Sequence, residues 1–308
     1  MPGIARKVLR LTFTIAGTVA PKKAGKLAFR VFSLAPPRDP KGERARNVFA
    51  AGAARLARAE TFALTTPHGK VMSYRMSPPA DAAVPGAGRF LIVHGWGSRS
   101  EYMSALAEGI VKATGGEVVL IDFPGHGASS GRSLDMRLAV EAITAADQHF
   151  GPFAGAVGHS FGGASLMVAA RQMLPKFPRF MPGRMALIGA PSELGGVLRY
   201  RAQQLGLTDI TRAYLEREVR RVTGRRSRDF DIAGDGPDLD MPVLIVHAED
   251  DKEVSADHAR RYAAQGPQVK LGWANGYGHR RIIAAPPTIS LVSAFMAGDD
   301  DPQVPETD

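Results

Sequence analysis

Two short stretches of the sequence match the pattern Gly-x-Ser-x-Gly, which can present a serine as a nucleophile. The first centres on Ser129 in "HGASSG" and the second on Ser160 in "GHSFGG". Ser160 follows the apolar run "FAGAV" and precedes "GGASLMVAA", so a strand, a sharp turn and a helix are predicted around it. Ser129 lies inside a glycine-rich loop, and no helix begins directly after it. We therefore predict that Ser160 is the nucleophile.

A serine hydroxyl is a poor nucleophile at neutral pH, so it needs a base, and the base needs an orienting acid. His279 lies in "NGYGHRR", between the last predicted strand and the last predicted helix, and is the predicted base. The stretch "VHAEDDKEV" offers carboxylates just past another strand. Asp251 is the predicted acid and Asp250 the alternative, and Glu193, past a further strand, is a remote third.

Acyl transfer also needs hydrogen-bond donors for the negative charge that develops on the carbonyl oxygen. One predicted donor is the backbone N–H of Phe161, the residue after the nucleophile. The second is the backbone N–H of Trp96 in "HGWGS". Gly95 and Gly97 flank Trp96 and allow its backbone to approach a substrate. The sequence thus predicts an oxyanion hole formed by Trp96 and Phe161.

The elements that must position these residues alternate regularly from about residue 61. A hairpin comes first, and six short apolar strands then alternate with helical stretches: "RFLIVHG", "EVVLIDF", "FAGAVGHS", "RMALIGA", "MPVLIVH" and "QVKLGWA". Apolar strands between amphipathic helices predict an α/β protein with a mostly parallel central sheet covered by helices on both faces. In such sheets functional residues gather beyond the carboxyl ends of the strands.

An insertion over residues 191–240 interrupts the core, which is predicted to span residues 61–190 and 241–298. The insertion contains two helical stretches, "YRAQQLGL" and "ITRAYLEREVRRVTG", and is predicted to form a small helical cap over Ser160. Its arginine-rich run "RRVTGRRSR" has two interpretations. We favour a solvated, salt-bridged helix face over arginines that meet an acidic acyl substrate.

The net charge of +9 belongs to one end of the chain. Residues 1–60 hold 13 Lys and Arg against 3 Asp and Glu, whereas residues 61–308 hold 26 against 27. Nucleic-acid binding by the body is therefore not expected. The absence of cysteine excludes disulfides, thiolate metal sites and cysteine nucleophiles. No motif implies a metal or an organic cofactor.

Residues 1–60 are predicted to form a basic helical lead followed by a linker at residues 36–46. We favour a lead that packs on the body or stays partly mobile; the alternatives are peripheral membrane contact through residues 1–35 and a cleaved signal peptide. A cytoplasmic location, with membrane attachment as an option, is expected ahead of secretion or a periplasmic location. Residues 299–308 are acidic and are predicted to be a disordered tail.

The motifs together resemble the α/β-hydrolase family. They occur in the family's order across residues 61–297: "LIVHGWGS", "LIDFPGHGAS", "VGHSFGG", "VHAEDDKEV" and "GYGHRR". The resemblance implies the α/β-hydrolase fold, and its acid pattern, Asp-x-x-Val, places the acid at Asp251. More narrowly, the chain is similar to poorly characterised bacterial serine hydrolases with a basic helical lead and a small helical cap.

These features predict a serine hydrolase that forms an acyl-enzyme from small carboxylic esters or thioesters. Acyl transfer, perhydrolysis, and amide or C–C cleavage by the same three residues remain alternatives. An alternative of another class is a catalytically idle protein that binds at a membrane. The oligomeric state is left open by the sequence.

Overall fold

The computed structural model describes residues 3–234 and 239–303, and their side chains from residue 8 onward. Eight strands and eleven α-helices occur in this part of the chain. In chain order they are α1 Gly3–Val19, α2 Pro21–Ser33, α3 Glu43–Leu56, β1 Glu60–Thr66, β2 Gly69–Met76, β3 Arg89–Val93, α4 Ser100–Thr114, β4 Glu117–Ile121, α5 Met136–Phe150, β5 Gly155–His159, α6 Phe161–Ala170, β6 Met185–Ile188, α7 Gly195–Gln204, α8 Asp209–Thr223, β7 Val243–His247, α9 Asp257–Ala263, β8 Val269–Trp273, α10 Gly278–Arg281 and α11 Pro286–Met296.

The strands form one sheet in the order β1-β2-β4-β3-β5-β6-β7-β8. The β1–β2 hairpin and the β2–β4 pair are antiparallel. The six strands from β4 to β8 in that order are parallel. The predicted hairpin and mostly parallel sheet are therefore confirmed. Parallel pairing also brings the carboxyl ends of six strands to one edge, where the predicted site residues follow them.

Both faces of the sheet are buried, which is why its strands are continuously apolar. On β3, Leu91 and Val93 point to one face and pack with α5 and α6. Phe90 and Ile92 point to the other face and pack with α4 and α11. The predicted helical layers on both faces are confirmed.

The basic lead and the insertion share a separate small core. Phe13 of α1, Ala28 of α2 and Leu215 of α8 are fully buried together. The backbones of α2 and α8 approach closely, because a Cβ on Gly25 would lie 2.5 Å from the Cβ of Tyr214. The lead therefore packs against the insertion, and the two segments form one helical layer.

The chain that follows α2 is fixed to the loop after β4. Leu34 forms a β-bridge with Ser133, and the guanidinium of Arg38 donates to the carbonyl of Ser129 at 2.6 Å. The predicted linker is shorter than expected, since α3 already begins at Glu43. These contacts connect the lead to a loop that borders the predicted site.

Two predictions fall partly outside the described residues. The predicted cap, residues 191–240, contains the undescribed residues 235–238, and the predicted disordered tail extends past residue 303. The proposed domain bounds stay predictions. Within the described part of the chain, no helix combines the length and the apolar character needed to cross a membrane.

Candidate active site

Ser160 lies in a tight turn between β5 and α6, with φ of 51° and ψ of −119°. A positive φ is strained for a residue with a side chain, so surrounding contacts must hold this turn. Gly162 is part of that support, because a Cβ there would lie 2.5 Å from the carbonyl oxygen of His94. A Cβ on Gly158 would meet the backbone of α6 at 2.6 Å. Glycine at both positions lets the strand and the helix meet.

The structure brings Ser160, His279 and Asp251 into one hydrogen-bonded chain. The His279 Nε2 atom lies 2.9 Å from Ser160 Oγ, and its Nδ1 atom lies 2.7 Å from Asp251 Oδ2. The Asp251 side chain is 1% exposed and the His279 side chain 8%. A carboxylate can only accept, so Nδ1 carries the hydrogen and Nε2 is left to accept the serine proton. This arrangement can perform general-base activation of a hydroxyl.

Asp251 is held as a carboxylate by its hydrogen bonds. Burial alone would raise its pKa, but the hydrogen bond with His279 and backbone N–H groups outweigh that effect and keep the pKa below its usual value. Those N–H groups belong to Glu253 and Val254, at 2.8 and 2.9 Å from Asp251 Oδ1. One oxygen is thus fixed by the loop and the other orients the imidazole.

The side chains of the other two candidate acids accept hydrogen bonds from backbone groups away from His279. Asp250 accepts a hydrogen bond from the backbone N–H of Gly276 at 2.8 Å, which joins the acid loop to the histidine loop. Glu193 accepts from the backbone N–H of Gly196 at 2.8 Å, at the start of α7. Asp251 is therefore the carboxylate that the structure places against His279.

The two residues predicted to supply oxyanion donors, Trp96 and Phe161, lie beside the serine turn. The indole of Trp96 packs edge-on against the ring of Phe161, with 5.6 Å between ring centroids. A Cβ on Gly95 would lie 3.1 Å from the Cβ of Ser160, so this loop contacts the turn directly. Within residues 3–234 and 239–303, the N–H groups of Trp96 and Phe161 donate to no acceptor. Two free donors beside Ser160 can bind an oxyanion.

Two buried histidines, to which the sequence analysis gave no role, join the Trp96 loop to the loop after β4. His94 Nε2 accepts from the backbone N–H of Phe123, and His126 Nε2 accepts from that of Gly97, each at 3.0 Å. Each Nδ1 lies within hydrogen-bond distance of a carbonyl in its own loop. Burial lowers the pKa of His94, and burial lowers that of His126 to about 4. Both rings are therefore neutral and can accept.

Two more buried histidines support the loops that carry His279 and Asp251. His159 Nε2 donates to the carbonyl of His279 at 2.9 Å, and burial lowers the His159 pKa to about 3. His247 Nε2 donates to the carbonyl of Val254 at 3.1 Å, and burial lowers the His247 pKa. Each histidine is the last residue of a strand, and the sequence shows this position. Only the structure shows that both side chains are buried and hold neighbouring backbone.

Ser129 is part of the framework. Its hydroxyl donates to the carbonyl of Asp122 at 2.5 Å and accepts from the N–H of Met72 at 2.8 Å. The residue is fully buried. Both of its hydrogen-bonding functions are used, so its hydroxyl supports the loop after β4.

Ser160 and His279 open into a cavity of about 1780 Å³. One wall comes from α7 of the insertion, including Val197 and Leu198, as expected for a cap. A second wall was not expected: Phe29 and Phe32 of the lead also line the cavity. No group of three metal-ligating side chains is placed to hold a metal ion in the described residues.

Sequence comparison gives a family match. Residues 90–290 match the family model described as the alpha/beta hydrolase family, which is well over half of the chain. The match covers the Trp96 loop, the serine turn, the acid loop and the histidine loop. No curated protein matches the chain in sequence.

Solved structures share the fold at low sequence identity. Est1E from Butyrivibrio proteoclasticus, with ferulic acid bound, is 21% identical with a TM-score of 0.59, covering 77% of this chain and 96% of that one. The esterase Pf2001 from Pyrococcus furiosus is 17% identical with a TM-score of 0.56, covering 85% and 98%. Alpha/beta hydrolase domain-containing protein 10 from mouse is 16% identical with a TM-score of 0.55, covering 77% and 96%.

The neutral state of His126 predicts acid sensitivity. Its folded-state pKa of about 4 lies below the usual 6.5, so the unfolded chain takes up the proton first as the pH falls. Stability from this group is complete above pH 6.5 and is lost toward pH 4, by about 2 to 3 kcal/mol at pH 4.5. In urea denaturation, His126→Gln should lose correspondingly less free energy of unfolding than wild type between pH 7 and 4.5. The exposed His149→Gln is the control; wild-type acid sensitivity retained in His126→Gln would contradict the assignment.

Proposed function

The chain belongs to the alpha/beta hydrolase family, and from that premise we propose that it is a serine hydrolase of carboxylic esters or thioesters. The observation that carries the proposal is the hydrogen-bonded chain from Asp251 through His279 to Ser160, which ends in a cavity. Ser160 is the nucleophile, His279 the general base and acid, and Asp251 the residue that fixes the imidazole tautomer.

In the first half of the reaction, Ser160 Oγ attacks the substrate carbonyl carbon while its proton passes to His279 Nε2. Asp251 stabilises the resulting imidazolium through the Nδ1 hydrogen bond. The carbonyl oxygen becomes an oxyanion and accepts from the N–H groups of Trp96 and Phe161. Loss of one such donor typically costs about 3 to 4 kcal/mol of transition-state stabilisation.

The tetrahedral intermediate collapses when His279 gives its proton to the departing alcohol or thiol, and the acyl group stays on Ser160. Water then attacks the acyl-enzyme, with His279 again accepting a proton. Return of that proton to Ser160 Oγ releases the carboxylic acid and restores the resting state. Both halves use the same donors and the same base.

Three further observations support ester or thioester cleavage. The solved structures with this fold include an esterase from Pyrococcus furiosus. The cavity exceeds the 300–1,000 Å³ of a common small-molecule site, which leaves room for both halves of an ester. Intact hydrogen bonds among all three residues favour turnover over an idle binding protein.

Adjacent carboxylates offer a matched test of the mechanism. Asp251→Asn should lower kcat on 4-nitrophenyl butyrate by about 10⁴-fold, because an amide facing Nδ1 favours the wrong tautomer. Asp250→Asn should stay within about tenfold of wild type, because Asp250 only holds the backbone of Gly276. Thermal melting verifies that both variants fold, and Ser160→Ala supplies the background rate.

The reverse order of the two effects would make Asp250 the acid. Equal, small effects of both substitutions would contradict the serine hydrolase mechanism. Wild-type turnover that survives in Ser160→Ala would contradict it as well.

A further inference from the structure

The cavity carries an excess of positive charge. Six basic side chains line it: Lys41, Arg44, Arg201, Lys252, Arg280 and Arg281. Three carboxylates line it as well: Asp135, Glu193 and Glu253. If every carboxylate paired with one of these cations, three of the six positive charges would be neutralised, so the partners of each group decide how much positive charge remains in the cavity.

The three carboxylates are already engaged by the protein. Asp135 and Glu193 accept backbone N–H groups at the starts of α5 and α7. Glu253 pairs with Arg280 at 2.7 Å. In the described part of the chain, Arg280 is the one basic lining residue with a carboxylate partner. The cavity therefore presents unpaired cations and no unengaged carboxylate.

Arg201 is the unpaired cation that lies next to the reaction site. Its guanidinium carbon is 5.7 Å from the ring centroid of Trp96, and the Trp96 ring contacts that of Phe161. In the described residues the guanidinium of Arg201 has no hydrogen-bond acceptor and no carboxylate within salt-bridge distance, so its N–H groups are available to a ligand. Desolvation by the surrounding protein lowers the pKa of Arg201, and the negative charge of Glu253, which pairs with Arg280, offsets this only in part. A desolvated guanidinium gains more from an added anionic partner.

The arginine-rich run at the end of α8 and directly after it, residues 220–228, does not contribute to this charge. None of its arginines lines the cavity, and Arg221 pairs with Glu218 at 2.8 Å. The favoured interpretation, a solvated and salt-bridged face, fits these residues. The arginine that enters the cavity is in the other predicted helix of the insertion.

We propose that Arg201 binds a carboxylate of the substrate, so that the natural substrate is an ester or thioester whose acyl or alcohol part is anionic. This inference rests on the proposed serine hydrolase activity. A planar guanidinium can hold a carboxylate through two parallel hydrogen bonds, which fixes both charge and orientation. The remaining free cations of the cavity add long-range attraction.

Two pairs of chromogenic esters test this proposal. Mono-4-nitrophenyl glutarate and 4-nitrophenyl pentanoate differ by a carboxylate on the acyl side. The butyrate esters of 3-carboxy-4-nitrophenol and 4-nitrophenol differ by one on the alcohol side. Wild type should prefer the anionic member of one pair, and Arg201→Gln should lower kcat/KM for that ester by about tenfold or more. The neutral ester should change by less than about threefold.

Arg201→Lys should retain part of the preference, and Arg199→Gln, on the same helix outside the cavity, should retain all of it. Equal loss on charged and neutral esters would assign Arg201 a packing role and overturn the proposal. No anionic preference in either pair would also overturn it. Because neutral-ester turnover through Ser160 is measured in parallel, failure of this inference is distinct from failure of the hydrolase mechanism.

A second, independent observation concerns the outer surface of the lead. Val8, Leu11, Ile15 and Val19 follow one another at helical spacing along α1 and are between 56% and 80% exposed. The opposite side of α1 is already covered, because Phe13 is buried in the small core that the lead shares with the insertion. An apolar stripe of this kind on a surface helix marks an interaction site.

The helix that packs beside α1 is basic on its exposed side. The outer face of α2 carries Lys22, Lys23, Lys26 and Arg30, and residues 1–38 contain no Asp or Glu. Within residues 3–234 and 239–303, none of these four cations has a carboxylate partner. An apolar stripe beside unpaired cations matches the acyl chains and headgroups of an anionic lipid surface.

We propose that α1 and α2 dock the protein on an anionic membrane surface. In vesicle flotation, the full chain should bind phosphatidylcholine vesicles that contain phosphatidylglycerol in preference to phosphatidylcholine alone. Salt near 1 M, where the Debye length is about 3 Å, should weaken binding. Leu11→Ser/Ile15→Ser should weaken it by about tenfold or more. Val84→Ser/Met181→Ser, which alters two exposed apolar residues elsewhere, is the matched control.

Equal binding to both kinds of vesicle would overturn this second proposal. Equal effects of the two double substitutions would do so too. Sedimentation velocity tests whether a second copy of the chain, and not a membrane, covers the stripe. A dimer that Leu11→Ser/Ile15→Ser abolishes would show that it does.

Discussion

The backbone turn at Ser160 is the constraint on which the site depends. A serine with φ of 51° is held at the end of β5, between strands that fix it on both sides. The turn exists because Gly158 and Gly162 leave space where a Cβ would collide with backbone. Once the turn is in place, the serine hydroxyl lies 2.9 Å from His279 Nε2, and α6 begins at the next residue.

Buried neutral imidazoles then hold the surrounding loops in place through hydrogen bonds to the backbone. His94 and His126 cross-link the Trp96 loop and the loop after β4 by accepting backbone N–H groups. His159 and His247 donate to carbonyls of the histidine loop and the acid loop. A neutral imidazole offers one donor and one acceptor, so it can join two backbone segments where a charged side chain would be too costly to bury. The site is thus a set of loops that buried histidines fix around His279.

Much of this arrangement was predictable from local sequence. Continuous apolar strands gave the parallel sheet, and parallel pairing brings the ends of β3, β5, β7 and β8 to one edge. The juxtaposition of Ser160, Asp251 and His279 follows from that edge. Asp251 was preferred over Asp250 before any family was considered, and the family's Asp-x-x-Val pattern added the sharper support, since adjacent carboxylates look alike by composition.

Contacts between distant segments were not predictable in the same way. Phe13 and Leu215 share a core although about two hundred residues separate them, and no periodicity in either helix specifies the other. That the lead forms one wall of the cavity could therefore be recognised only from the structure. The same holds for Arg201, whose stacking on Trp96 depends on how the insertion folds back over the core.

Covalent labelling shows whether Ser160 is an activated nucleophile. The protein would be treated with a fluorophosphonate probe and the modified residue located by peptide mass spectrometry, in wild type, Ser160→Ala and Ser129→Ala. We expect an adduct on Ser160 that is absent from Ser160→Ala and unchanged in folded Ser129→Ala. An adduct on another serine, or an unlabelled Ser160 in protein that hydrolyses esters, would contradict this expectation.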